Sequence, residues 1–223
     1  MLVLFRTPPI IPYYAVILVA QISGIHSSNI GARAYQISAN KQVTANNNMS
    51  GTFLYFAYGS NLLADRIHIN NPSAKRAGIG KIEGYELDFI TFSKRWRGNS
   101  ATIVNRPGSH VWGALWEINN EDMVALDRQE GVPDNLYVPL TVDVELPDGK
   151  SRSARVYQQT KTPPKVENVE DIPVERRPSA VYLNTILKGA EESGLPQEYQ
   201  NWLKRIPHNG YSGPVDIGLD LKY

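Results

Sequence analysis

The chain has 223 residues and a formal net charge of +1, and 42% of its residues are hydrophobic. This length suits one domain with a well-filled core and is short for two. Because Lys and Arg are spread along the chain, the composition argues against a nucleic-acid binder. The chain has no Cys, and its four His are far apart in sequence. We therefore expect neither a disulfide framework nor a bound metal.

The first 48 residues differ in composition from the rest. Residues 13–25 form an apolar run without charge, and residues 26–48 are rich in Ser, Asn, Ala and Gln. With Arg6 before it, the run has the length of a signal-peptide core, but it is shorter than the about 20 residues of a membrane-spanning helix. The stretch that follows is typical of a flexible tail.

Three interpretations of this segment stay open. It is a targeting signal, a tail with another role, or a dispensable extension, because initiation at Met49 would still give a complete domain. We predict an extension over 1–48 and one globular domain over 49–223. The lack of Cys fits a reducing compartment, so the predicted location is the cytoplasm unless residues 1–25 direct secretion.

The globular pattern begins with a buried strand that ends in a glycine turn. Residues 53–58 form an aromatic, almost continuous apolar run, which is typical of a buried strand. Gly59 interrupts it, and residues 62–67 follow with the apolar spacing of a short helix. Such a turn leaves main-chain N–H groups that favour an anion. A plain turn with Ser60 or Asn61 as the helix cap explains the same residues.

Strands predominate in the middle of the chain and helices at its end. We predict strands at 84–92, 101–105, 111–118, 137–146 and 153–158. We predict helices at 120–129, 179–193 and 197–205, and an exposed loop over 161–177. The glycines of residues 78–84 do not fit a dinucleotide-binding loop and are predicted to form a turn. Because strands and helices do not alternate, the pattern indicates an α+β fold with a small, curved or barrel-like sheet.

Glu130 is a candidate general acid/base. On the predicted helix 120–129, Met123 and Leu126 mark the apolar face, and Glu130 takes the next position of this buried stripe. Partial burial and the carbonyl dipoles at the helix C-terminus would both raise its pKa towards neutrality, as acid/base catalysis near pH 7 requires. A solvated glutamate at a fraying helix end is the alternative.

Taken together, these segments resemble one enzyme family. The sequence FLYFAYGSNLL at residues 53–63 is similar to the strand-loop signature of animal γ-glutamylcyclotransferases. The likeness continues at residues 66–68, 71–74, 111–113, 126–132, 137–138 and 194–199. The resemblance implies a small mixed β-barrel with flanking helices, and a catalytic domain at 49–223 that closes γ-glutamyl groups into 5-oxoproline. Related cyclotransferases that act on glutathione or γ-glutamylamines carry similar loops, and a non-catalytic binding relative is an alternative of another class.

The resemblance also implies the roles of individual residues. Glu130 is the implied catalytic proton acceptor. The implied substrate-binding residues are Tyr55, Phe56, Ala57, Tyr58, Gly59, Ser60, Tyr137 and Tyr182. The partner would be a small γ-glutamyl substrate that carries its own nucleophile, so we expect no cofactor. The resemblance also suggests a homodimer.

Overall fold

The computed structural model describes residues 51–218, so the predictions for residues 1–48 lie outside the described part. Five strands form a closed barrel in the order β1-β3-β2-β4-β5. Their bounds are Thr52–Ala57 (β1), Lys75–Ser93 (β2), Gly98–Asn119 (β3), Tyr137–Glu145 (β4) and Ser151–Gln159 (β5). All neighbours are antiparallel except β1 and β5, which pair in parallel at Tyr55 and Arg155. The predicted α+β fold with a small mixed barrel is confirmed.

Short helices flank the barrel. Their bounds are Ala64–His68 (α1), Met123–Gln129 (α2), Ala180–Ser193 (α3) and Gln197–Leu203 (α4). The predicted helix at 179–193 is confirmed because its ends carry strong signals. The Ser179 hydroxyl accepts a hydrogen bond from the Tyr182 main-chain N–H at 3.1 Å, and Gly194 ends α3 with a φ of 72°. No helix within residues 51–218 is long and apolar enough to cross a membrane.

The two longest strands differ from the sequence prediction. The predicted turn at residues 78–84 is wrong, because this segment lies inside β2. Gly78 and Gly84 have φ angles of 123° and 77°, and the register with β3 shifts next to each of them. Gly78 lies at a β-bulge with one extra residue on β2, and next to Gly84 the pairing skips residues 106–109 of β3. These irregularities bend the strand without reversing it and let 19 residues curve around a barrel. The predicted strands 101–105 and 111–118 are likewise one strand, β3.

The segment 161–177 is less exposed than predicted. It contains two short 3-10 turns, at Val169–Asp171 and Val174–Arg176, and Ile172 and Arg176 are buried. Arg176 forms an ion pair with Asp88 of β2, which is also buried. The mixed charge of this segment suggested a solvated loop, but the charge of Arg176 is paired with Asp88 inside the protein.

Candidate active site

A cavity lies where β1 ends in the glycine bend, which comprises residues 59–61. It has about 320 Å³ of empty space open to solvent. Its lining residues come from several strands and from the ends of α2 and α3: Tyr55, Tyr58, Gly59, Ser60, Asn61, Ala101, Glu130, Tyr137, Tyr157 and Tyr182. The fold therefore brings Glu130 and the glycine bend, which are about 70 positions apart in sequence, into one cavity.

Seven of the nine predicted site residues line this cavity. The exceptions are Phe56 and Ala57, whose side chains are fully buried in the core. Alternation along β1 turns Phe56 away from the face that carries Tyr55. The Phe56 ring instead packs so tightly on β3 that a Cβ on Gly113 would lie 2.6 Å from its Cζ atom.

Close packing against α3 fixes the glycine bend. Gly59 has a φ of −109°, so it does not need a left-handed conformation; instead, a Cβ there would lie 3.2 Å from the Tyr182 hydroxyl. A Cβ on Gly189 of α3 would lie only 2.5 Å from the Leu63 main-chain nitrogen. Trp116 donates from Nε1 to the Asn61 carbonyl oxygen at 3.0 Å. The bend is therefore rigid where it faces the cavity.

The hydroxyl of Tyr182 marks a site for an electron-rich oxygen. It accepts a hydrogen bond from the Ala101 main-chain N–H at 3.2 Å, and the Ser60 main chain also forms a hydrogen bond with it. Burial raises the pKa of Tyr182 to about 12, although these main-chain hydrogen bonds oppose the rise. Two main-chain donors thus converge at one position beside the bend, and this arrangement suits a negatively charged ligand oxygen.

Glu130 directly follows α2 and is partly buried at the cavity wall. Its Oε1 atom accepts hydrogen bonds from Asn61 Nδ2 at 3.1 Å and from Gln129 Nε2 at 3.4 Å. None of the ion pairs among the described residues includes Glu130. Burial raises the pKa of the Glu130 carboxyl to about 7, while Arg66 and the two amide hydrogen bonds oppose the rise and Asp127 adds to it. Such a carboxyl can take up and release a proton near neutral pH.

Asp127 ties α2 to the barrel and so helps to place Glu130. Its Oδ1 atom accepts hydrogen bonds from the Tyr157 hydroxyl at 2.5 Å and from Arg155 Nη2 at 2.6 Å. Both partners lie on β5, and Tyr157 also lines the cavity. The position of Glu130 therefore depends on a contact between α2 and β5 that the helical periodicity of the sequence does not reveal.

Two polar residues of the site were missed in the sequence. The sequence suggests a role for the Asn61 side chain only as a helix cap, but the 3-10 turn at Ser60–Leu62 has no side-chain cap, and the Asn61 amide donates to Glu130 and Tyr55 instead. Gln129 reads as an ordinary helix residue, yet it also donates to Glu130. The signal available for each was its position in a family-like segment: residues 53–63 for Asn61 and residues 126–132 for Gln129.

A larger cavity, with about 1000 Å³ of empty space, lies elsewhere between Trp112, Tyr199 and Trp202. One of its acidic residues, Glu86, forms an ion pair with Arg106 at 3.3 Å. In the smaller cavity, by contrast, the Glu130 carboxylate lies beside the glycine bend and is held by neutral amides, so chemistry rather than size favours the smaller cavity. Across residues 51–218, no three His, Cys, Asp or Glu side chains are grouped as a metal ion would need.

Comparisons with known proteins agree on one family. The model of the AIG2-like family matches residues 110–203. A protein from Bos taurus named gamma-glutamylcyclotransferase is 44% identical over 173 residues, which are 76% of this chain and 86% of the bovine protein. The Homo sapiens protein of the same name is 42% identical over the same shares. A solved structure named gamma-glutamyl cyclotransferase is 40% identical, has a TM-score of 0.67, and is matched over 74% of this chain and 94% of its own. The chain belongs to the γ-glutamylcyclotransferase family.

Proposed function

We propose that this protein converts γ-glutamyl amino acids into 5-oxoproline and a free amino acid, with Glu130 as the acid/base. The observation that carries the proposal is the Glu130 carboxylate, which lies in the cavity beside the glycine bend and is held by neutral amides. The name shared by the bovine and human relatives supports the same reaction.

The substrate supplies its own nucleophile in this reaction. The α-nitrogen of the γ-glutamyl group forms a bond to the γ-carbonyl carbon, and the bond from that carbon to the departing nitrogen breaks. The enzyme has to bend the glutamyl chain so that nitrogen and carbon meet. The five tyrosines around the cavity wall suit this task, because rigid walls reduce the conformations that a bound chain can take.

Glu130 would transfer protons at both stages. The α-ammonium group must lose a proton before it can attack, and the departing nitrogen must gain one before it leaves. A single carboxylate can accept the first proton and donate the second when its pKa lies near the working pH. With a pKa of about 7, the Glu130 carboxyl meets this requirement.

The glycine bend would bind a negatively charged oxygen of the substrate. The candidates are the oxyanion of the tetrahedral intermediate and the α-carboxylate, and both suit the main-chain donors of Ser60 and Ala101. A substrate oxygen at this position would replace the Tyr182 hydroxyl as the acceptor of these bonds. Tyr182 would then have to move slightly or bind the substrate itself.

The direct test is an assay of the full chain for 5-oxoproline with γ-glutamyl-alanine, glutathione and γ-glutamyl-lysine as separate substrates. We expect the highest kcat/KM for γ-glutamyl-alanine and a turnover lower by about 10²–10⁴-fold in the Glu130→Gln variant. If none of the three substrates yields 5-oxoproline, the proposal is wrong. A preference for glutathione or γ-glutamyl-lysine would leave the proposed reaction unchanged and identify a different substrate.

The cytoplasmic location and the homodimer stay predictions. Cell fractionation would test the location, and analytical sedimentation would test the homodimer.

A further inference from the structure

A chain of side-chain amides leads from the segment after α1 to the candidate site. Asn70 and Asn71 both donate from Nδ2 to Gln129 Oε1, at 3.1 Å and 3.2 Å. Gln129 in turn donates from Nε2 to Asn61 Oδ1 at 3.3 Å. We call Asn71, Gln129 and Asn61 the amide chain. Asn71 is fully buried and Asn61 is 5% exposed, so water does not easily replace these hydrogen bonds.

The amide chain ends on Glu130. The Asn61 Nδ2 group donates to Glu130 Oε1 at 3.1 Å and to the Tyr55 hydroxyl at 3.1 Å. The Gln129 Nε2 group, at 3.4 Å, is a second donor to the same carboxylate oxygen. The amides of Asn61 and Gln129 therefore both direct N–H groups at Glu130 Oε1, and neither amide turns its oxygen towards this atom.

The direction of each amide depends on its neighbours. Because Gln129 Oε1 accepts from Asn71, the Gln129 NH₂ group must point the other way, towards Asn61. Asn61 then presents its oxygen to Gln129 and its NH₂ group to Glu130. An ionised carboxylate only accepts hydrogen bonds, so a reversed Asn61 would place an oxygen against an oxygen. Linked hydrogen bonds of this kind also polarise and strengthen one another.

We propose that Gln129 is a positioning residue: through Asn61 it directs two amide donors at one oxygen of Glu130 and keeps this carboxylate ready to accept a proton. This role rests on the proposed function of Glu130 as the acid/base. Gln129 itself does not line the cavity, so it acts on the reaction through Glu130 and not through the substrate.

Except for Tyr55, which accepts a hydrogen bond from Asn61, the other groups around Glu130 are not hydrogen-bonded to the amide chain. The Arg66 guanidinium favours the ionised carboxylate and Asp127 disfavours it. The tyrosines that face it keep their protons at neutral pH, because burial raises the pKa of each: Tyr55, Tyr58, Tyr137 and Tyr182. Replacing Gln129 leaves these groups in place, so the change isolates the contribution of the amide chain.

The first test needs no substrate. The Glu130 side-chain carboxyl would be titrated by ¹³C NMR in the full-length protein and in the Gln129→Met variant, which keeps the side-chain length and removes the donors. We expect the titration midpoint to rise by about one pH unit, because hydrogen bonds to the charged form are lost. Gln197→Met is the matched control, since the Gln197 amide also donates to an asparagine oxygen, at 3.1 Å, but on the exposed surface of α4. An unchanged midpoint in Gln129→Met would overturn the proposal.

The second test separates positioning from simple structural support. With γ-glutamyl-alanine, kcat of Gln129→Met should fall about tenfold at pH 6 and recover towards the wild-type value at pH 9, with little change in KM. An equal loss of kcat at every pH would mean that Gln129 only stabilises the fold. If the wild-type protein is inactive, the proposed function fails, and the NMR titration still decides whether the amide chain acts on Glu130.

Discussion

Among the described residues, the carboxylates of Asp88 and Glu130 are shielded from water to different degrees, and their surroundings differ. Asp88, on β2, is 2% exposed, and Arg176 Nη2 donates to its two oxygens at 2.8 Å and 3.1 Å. Glu130 faces a cavity and is held by the amides of Asn61 and Gln129. Burial raises the pKa of both groups. Only Asp88 has a cation as its direct partner.

The difference indicates which buried carboxylate is suited to proton transfer. Protonating Asp88 would leave the Arg176 guanidinium buried without a counter-charge, which is costly. Protonating Glu130 breaks no ion pair, and the amides can accommodate either form. We therefore assign a structural role to Asp88 and propose a catalytic role for Glu130. The predictions below test this comparison.

The largest expected effect is on turnover. Glu130→Gln should fold normally and lower kcat for γ-glutamyl-alanine by about 10²–10⁴-fold, because the acid/base group is gone while its shape remains. Steady-state kinetics, with circular dichroism as the check on folding, measure this effect. Asp88→Asn should keep kcat, per folded molecule, within a few-fold of the wild-type value. Near-normal turnover in Glu130→Gln would end the proposed role of Glu130.

The second effect is on stability, and here the Asp88 variant should lose more than the Glu130 variant. Asp88→Asn should lower the free energy of unfolding by about 3–5 kcal/mol, because it leaves a buried guanidinium unpaired. Urea unfolding followed by tryptophan fluorescence measures the loss. In Glu130→Gln, the same experiment at pH 7 should show no loss. If Asp88→Asn costs less than about 1 kcal/mol, as at an exposed pair, the ion pair does not anchor the segment 161–177.

The third effect is a pH dependence of stability that Glu130 contributes. A glutamate in the unfolded chain ionises near pH 4.5, whereas the folded protein holds the Glu130 proton up to about pH 7. The folded state therefore binds more protons between these values, and stability falls as the pH rises through this window. Glu130→Gln should remove this decline and be more stable than wild type at pH 8 by at most about 3 kcal/mol. Parallel stability curves for the two proteins from pH 4 to pH 8 would contradict this prediction.

The smallest effect concerns the glycine bend. Gly59→Ala places a Cβ 3.2 Å from the Tyr182 hydroxyl, so the hydroxyl must shift by a few tenths of an ångström. Because the added Cβ crowds the position at which a substrate oxygen would replace the Tyr182 hydroxyl, we expect KM to rise by about fivefold with kcat less affected. Initial-rate kinetics on γ-glutamyl-alanine would measure both values. An unchanged KM would mean that the bend is structural only.

Local patterns in the sequence were enough to predict the first strand and the neighbourhood of Glu130. The apolar run at residues 53–58 corresponds to β1, and the stripe from Met123 through Leu126 places Glu130 at the end of α2. Both predictions depend on the spacing of apolar residues within one strand or helix and not on the segments that pack against it. The Ser179 cap and Gly194 made the bounds of α3 predictable for the same reason.

Features that depend on contacts between distant segments could not be predicted. Glycines at a bulge and at a turn look alike until the partner strand is known, so Gly78 and Gly84 suggested a turn. The hydrogen bond that Asn61 accepts from Gln129 and the one that it donates to Glu130 join residues 68 and 69 positions apart. The amide chain exists only because α2 packs beside the glycine bend, and no periodicity in the sequence encodes this contact.

The most direct test of the central claim is the pH dependence of kcat/KM for γ-glutamyl-alanine with the wild-type protein. This quantity reports the ionisation of the free enzyme. Since a carboxylate must be ionised to accept a proton, we predict that kcat/KM rises with pH and has its midpoint near pH 7, the pKa that burial gives to Glu130. A profile that is flat from pH 6 to pH 8, or a midpoint near the ordinary glutamate value of 4.5, would contradict the account.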